Sequence, residues 1–174
     1  MQPAPLAIVV MGVCGCGKSA LGERLARELG ASFIEGDAFH PPANVQRMAA
    51  GIALTDADRQ GWLEALAEKL AQARAEGRSV VLACSALKRR YRDLLRQGAP
   101  DLRIVHLSGD HGLLAARMAA RQGHYMPPSL LASQLAALEA PQGDGDEQSI
   151  TLDASAPIDA LLQSTLTQLQ RATS

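Results

Sequence analysis

Residues 12–19 read Gly-Val-Cys-Gly-Cys-Gly-Lys-Ser, which has the spacing G-x-x-x-x-G-K-[ST]. Gly12, Gly15 and Gly17 free the backbone to take positive φ and to turn successive N–H groups toward one point. With Val13, Cys14 and Cys16 between them, they form a nest sized for an anion. Lys18 and Ser19 fall where a helix would begin, and a helix N-terminus adds the positive end of its dipole. Holding a phosphate chain is the chemistry that uses all of these at once. The N–H groups cradle phosphates, Lys18 reaches the β- and γ-phosphates, and the Ser19 hydroxyl ligates Mg²⁺. Residues 12–19 are therefore expected to bind a nucleoside triphosphate with its Mg²⁺.

Triphosphate binding alone does not fix the reaction. A guanine-specific hydrolase should carry N-K-x-D, and the sequence has none. Asp-Arg-Gln-Gly at 58–61 matches D-x-x-G in letters but falls inside a predicted helix. A motor ATPase would place a carboxylate after an apolar strand, whereas Val-Val-Leu-Ala-Cys (80–84) runs into Ser85. The acidic candidate is Asp37, at the end of the second predicted strand, where ligands of α/β proteins bind. There it would orient an acceptor hydroxyl and hold Mg²⁺ through water. The alternative is a turn aspartate that caps the loop running to Pro42.

Arg117 and Arg121 are spaced i, i+4 and share a helix face beside the Gly- and Pro-rich stretch 121–128. Arginines on a mobile cover would neutralise charge on a moving phosphoryl group and exclude water. A solvated basic face is the alternative. Residues 85–96 are dense in cations, with Lys88 and Arg92 expected on one face. Together with His40 and Arg59 they are candidates for an anionic acceptor. Again the alternative is a solvated face. Trp62, at helical spacing with Leu63, Leu66 and Leu70, reads as core. Cys14 and Cys16 form a lone C-x-C with no second Cys/His pair at zinc spacing, so they read as small loop fillers.

These residues need a frame. Apolar runs at 6–11, 32–37, 79–84, 102–107 and 149–153 read as strands. Helices are expected at 18–29, from Pro41-Pro42 to Gly51, from a Thr55/Asp58 capping box to Gly77, at 86–97, from Asp110 to about Gln122, from Ser129, and at 157–171. Strands alternating with helices predict an α/β fold with a mostly parallel sheet. At 174 residues one domain is expected. The net charge of −1 advertises no nucleic-acid or anionic-membrane partner. The longest apolar run is far short of a membrane span, no secretory pattern opens the chain, and three cysteines without a disulfide framework suit a reducing cytoplasm.

Four segments in order carry a resemblance: 11–19 (MGVCGCGKS), 35–63 (EGDAFHPPANVQRMAAGIALTDADRQGWL), 83–96 (ACSALKRRYRDLLR) and 117–141 (RMAARQGHYMPPSLLASQLAALEAP). The chain resembles the short, P-loop gluconate kinases over about residues 6–171. That family commonly has serine at the positions of Cys14 and Cys16, so the cysteines should be tolerated while making the loop sensitive to oxidation. The resemblance implies an NMP-kinase-like, three-layer α/β/α fold with a five-stranded parallel sheet of order 2-3-1-4-5. It implies a substrate-binding helical segment at about 38–77 and a helical lid at about 111–128. The implied reaction is ATP-dependent phosphorylation of D-gluconate at its C6 hydroxyl, by a homodimer. Lys18, Asp37 and Arg121 would be catalytic, with Asp37 facing the acceptor hydroxyl and Arg121 closing on the phosphates. Arg117 and the 152–157 turn would lie by the adenine. Kinases for another hydroxylated acid or a nucleotide, such as shikimate or a nucleoside monophosphate, and a non-catalytic ATP-binding regulator remain the competing readings.

Overall fold

A computed structural model describes residues 4–120, 127–142 and 147–173. Its frame is one five-stranded parallel sheet in the order β2-β3-β1-β4-β5. The strands are β1 (Ala7–Met11), β2 (Ser32–Glu35), β3 (Val80–Ala83), β4 (Arg103–Ser108) and β5 (Gln148–Asp153). β1 and β3 are buried along their whole length, which is why their sequences are apolar without alternation. The helices are α1 (Lys18–Leu29), α2 (Pro42–Ala49), α3 (Asp56–Ala75), α4 (Arg89–Gly98), α5 (His111–Ala120), α6 (Pro128–Ala137) and α7 (Ile158–Thr173).

Local chemistry sets several boundaries. Thr55 Oγ1 accepts from Asp58 N at 3.0 Å and Asp58 Oδ2 accepts from Thr55 N at 2.9 Å, so the expected capping box starts α3. Asp110 Oδ1 accepts from Leu113 N at 2.7 Å and starts α5. Gly30 and Gly77, at φ 64° and 69°, follow α1 and α3 in the left-handed conformation. α6 is preceded by Pro127 in extended conformation, not by a Ser129 cap.

The largest departure lies after β3. The expected helix at 86–97 begins only at Arg89, because Ala86 sits at φ 45° and its carbonyl, with that of Leu87, is taken by Arg92. Lys88 is consequently the N-cap of α4 and does not share a helical face with Arg92. The core runs from the sheet into Leu21 and Leu25 of α1, Leu63, Leu66 and Leu70 of α3, and Leu95 of α4. All five strands point the same way, so the segments after β1, β2 and β3 meet at one carboxyl edge. No helix among the described residues is long and apolar enough to cross a membrane.

Candidate active site

The segment between β1 and α1 is the glycine loop. Gly12, Gly15 and Gly17 take φ values of 152°, 84° and 95°, which bend the chain around the N-terminus of α1. A side chain at Gly12 would also strike Cys16 Sγ and the Leu107 carbonyl, with a Cβ only 2.6 and 2.7 Å from them. Lys18 Nζ donates to the Val13 carbonyl at 3.2 Å, so the ammonium folds over the loop it serves. Cys14 and Cys16 are buried; Cys14 Sγ meets Met118 Sδ at 3.4 Å.

Two carboxylates reach this loop from the end of β2. Ser19 Oγ donates to Glu35. Asp37 stands two residues on, in a short 3-10 turn over Gly36–Phe39. Gly36 lets that turn press on β3, since a Cβ there would come 2.4 Å from the Ala83 carbonyl. Cys84, enclosed behind this edge, has its thiol pushed up to about 12 by burial and is inert as a nucleophile.

Two cavities adjoin across this edge. One lies over the loop and is lined by Gly15, Gly17, Ser19 and Arg117. The other opens between α2, α3 and α6 and is lined by His40, Arg59, Trp62, Ser85 and Gln134 among others. Cys14, Lys18 and Asp37 line both. A glycine-rich loop and a polar cleft therefore meet at a cation, a carboxylate and Cys14, whose backbone N–H donates to Gln134 Oε1 at 2.7 Å. That is the layout of a group-transfer site.

Trp62 and His40 form the floor of the cleft. Trp62 is buried, as expected of core, but it also donates from Nε1 to the Gly36 carbonyl at 2.8 Å and stacks on His40 at 3.9 Å. Asn44 Nδ2 donates to the Asp58 carbonyl at 2.9 Å and lies 3.3 Å from His40 Nδ1. An amide nitrogen only donates, so His40 Nδ1 accepts and its proton resides on Nε2. Burial lowers the His40 pKa from 6.5, against the opposing pull of Asp37, which agrees with that neutral ring. Arg59 Nη1 donates to the Tyr91 hydroxyl at 2.9 Å, and that hydroxyl donates to Asp56. Lys88 and Arg90 also meet Asp56, at 3.1 and 2.8 Å.

A family model described as an AAA domain matches residues 8–141. A gluconokinase from Gluconobacter oxydans (strain 621H) is 46% identical over 166 residues, covering 95% of this chain and 92% of that protein. The chain belongs to the gluconokinase family. A crystal structure of a gluconokinase from Sinorhizobium meliloti 1021 is 47% identical with a TM-score of 0.87, covering 98% of this chain and 95% of that one. An unliganded sugar kinase from Janibacter sp. superposes with a TM-score of 0.90 at 46% identity, covering 95% of both chains. The gluconokinase fold, with its sheet order 2-3-1-4-5, is the one implied by the four sequence segments.

Within this gluconokinase frame the basic segment after β3 behaves differently from expectation. Arg92 does not line the cleft between α2, α3 and α6. It is fully buried, and its five N–H donors meet the Ala86, Leu87 and Glu139 carbonyls and both oxygens of Glu147 at 2.7–3.2 Å. The assignment of Arg92 to substrate is therefore corrected: it pins the loop after β3 to the residue preceding β5. Lys88 is spent on Asp56 at the flank of the cleft and is not among the lining residues. Arg59 and His40 are. Arg117 reaches the cavity over the loop and lies close enough to Asp153, at the end of β5, to help lower its pKa, after the larger effect of the Ser155 hydrogen bonds. Arg121 lies outside the described residues, as do residues 122–126 of the expected lid. Sequence reading passed over Glu35, Tyr91 and Gln134. Glu35 had a signal, since it lies two residues from Asp37 on the strand's period of two.

Proposed function

We propose that this protein transfers the γ-phosphoryl group of ATP to the C6 hydroxyl of D-gluconate, giving 6-phospho-D-gluconate and ADP. The observation that carries the reading is the shared edge of the two cavities, where Cys14, Lys18 and Asp37 face both. The family membership supplies the acceptor.

In this reading the loop N–H groups hold the phosphates, and Lys18 swings from Val13 to the β- and γ-phosphates. Asp37 aligns the acceptor hydroxyl and takes its proton late, because the transition state of phosphoryl transfer is loose. Arg117 lies toward the base, and Arg121 closes on the phosphates. Arg59 holds the acceptor carboxylate, with its guanidinium oriented by Tyr91. His40 donates from Nε2 to a hydroxyl.

The donor set suits Mg²⁺. Ser19, Glu35 and Asp37 offer hard oxygens, and among the described residues no group of three or more His, Cys, Asp or Glu could hold a metal by itself. Mg²⁺ is typically held by one or two carboxylates together with substrate phosphates. When bound it would neutralise charge on the β- and γ-oxygens. We extend the reading to one kinase domain over the whole chain, working as a homodimer in the cytoplasm; family membership supports this, and sedimentation of the purified protein tests the dimer.

The function is tested by coupled ADP release with a panel of acceptors. D-Gluconate should stimulate ADP formation at least about tenfold over shikimate or a nucleoside monophosphate, the size of one good specificity contact. A faster rate with either competitor would replace the acceptor, and ADP release indifferent to every acceptor would replace the class.

A further inference from the structure

Gln134, on α6, touches the loop and the cleft at once. Its Oε1 accepts from the backbone N–H of Cys14 at 2.7 Å, and its side chain lines the acceptor cleft. Cys14 is one of the three residues at the edge between the cavities, so this amide sits beside the place where the phosphoryl group crosses.

The bond fixes more than position. A side-chain amide has an acceptor end and a donor end that are otherwise interchangeable. A backbone N–H only donates, so it selects Oε1 and leaves the NH₂ group for another partner, on a residue that lines the cleft. A phosphorylatable acceptor brings hydroxyl oxygens to this point. The carboxylates Asp37 and Glu35 are acceptors, and Lys18 is committed to phosphate in the proposed mechanism. The Gln134 NH₂ is thus a neutral donor on a residue at the edge where Cys14, Lys18 and Asp37 line both cavities.

We propose that Gln134 is a specificity-determining residue of the acceptor site: anchored on the Cys14 N–H, it donates to the hydroxyl next to the one that is phosphorylated. For D-gluconate this is the C5 hydroxyl. The proposal deepens the gluconate reading and rests on it. A site built to hydrogen-bond a hydroxyl discriminates strongly against an analogue that lacks it, because the site's own polar group is left unpaired.

The experiment compares D-gluconate with 5-deoxy-D-gluconate in the wild type, in Gln134→Met, which keeps length and loses both hydrogen bonds, and in Gln134→Asn, whose shorter amide cannot span from Cys14 to the acceptor. The wild type should favour gluconate in kcat/KM by at least about tenfold. Both variants should lose at least about tenfold on gluconate, most of it in gluconate KM. Their kcat/KM for the deoxy acid and their KM for ATP should stay within about twofold. A merely structural amide would move both acceptors and ATP together. Equal losses on the two acids, or a wild type that does not distinguish them, would overturn the Gln134 assignment while leaving the gluconate reading standing. A wild type that phosphorylates neither acid would overturn both. The wild-type comparison shows whether the C5 hydroxyl is read, and the variants, verified as folded by circular dichroism, show whether Gln134 reads it.

Discussion

Ser19 donates its hydroxyl to the carboxylate of Glu35, so the last residue of the phosphate loop is tied directly to the last residue of β2. In the proposed site both residues would hold Mg²⁺, Ser19 by its hydroxyl and Glu35 through water. Outer partners of this kind are typically worth 10- to 100-fold in metal affinity. Glu35→Gln should raise the Mg²⁺ concentration for half-maximal rate by about that factor, with kcat largely recovered at high Mg²⁺. Calorimetric titration of Mg²⁺ into the ADP complex should show the same shift. An unchanged Mg²⁺ curve would reduce Glu35 to a cap on the loop.

Lys18 and Asp37 should fail in different ways. Lys18→Ala removes charge from the developing transition state and should cut kcat/KM by about 10²- to 10³-fold or more, with the circular-dichroism spectrum unchanged. Asp37→Asn keeps shape and loses charge; kcat should fall about 10²- to 10⁴-fold. ATP affinity should survive in the second variant, because loop N–H groups and Lys18 hold the phosphates. Less than a fivefold fall at saturating substrates would make Asp37 a turn residue.

Arg92 and Glu147 are a buried pair. Burial would raise the Glu147 pKa, but the hydrogen bonds and charge of Arg92, with help from Arg96, more than reverse it, and the carboxyl ends below its ordinary 4.5. A depressed carboxyl pKa gives stability that is present above the unfolded value and is lost as pH falls through the folded one. Arg92→Met should cost about 3–5 kcal/mol at pH 7 in urea unfolding. Its deficit should narrow below about pH 4.5, where Glu147 protonates more readily in the variant. Arg92→Lys should not restore stability, since an ammonium has three donors for five acceptors. A neutral effect at pH 7 would contradict the pinning role.

His106 on β4 is buried with neither ring nitrogen hydrogen-bonded among the described residues. Burial, and secondarily the charge of Arg92, lower its pKa from 6.5. The folded protein therefore binds a proton less readily than the unfolded chain. Stability should be full above about pH 6.5 and decline as pH falls below it, toward the folded pKa. His40 is shifted in the same direction, so the readout is a difference: His106→Leu should flatten the fall in Tm between pH 7 and pH 5 relative to wild type. Parallel Tm curves for the two proteins would assign the whole slope to other groups.

The readable parts of the molecule were those whose chemistry is local in sequence. The phosphate loop states its own geometry in glycines, and α1 and α3 carry their stops in Gly30 and Gly77 and the start of α3 in Thr55 and Asp58. The parts that were misread depend on distant partners. Arg92 looks like one cation among several until Glu147 arrives from 55 residues away, and the same guanidinium takes the carbonyls that would have begun α4 earlier. Arg59 is oriented by Tyr91, 32 residues on, and Gln134 meets Cys14 across 120. Helical periodicity put Trp62 in the core correctly, yet gave no sign that its indole would also floor the cleft against His40.

The most direct test of the account is a phosphorus NMR spectrum of the protein incubated with ATP, Mg²⁺ and D-gluconate. The spectrum should show ADP and one new phosphomonoester in equal amounts, its phosphorus coupled to the two protons of C6, and that resonance should grow at least about 10²-fold more slowly when Lys18 is alanine. Inorganic phosphate in place of the ester, or an ester on any other carbon, would contradict it.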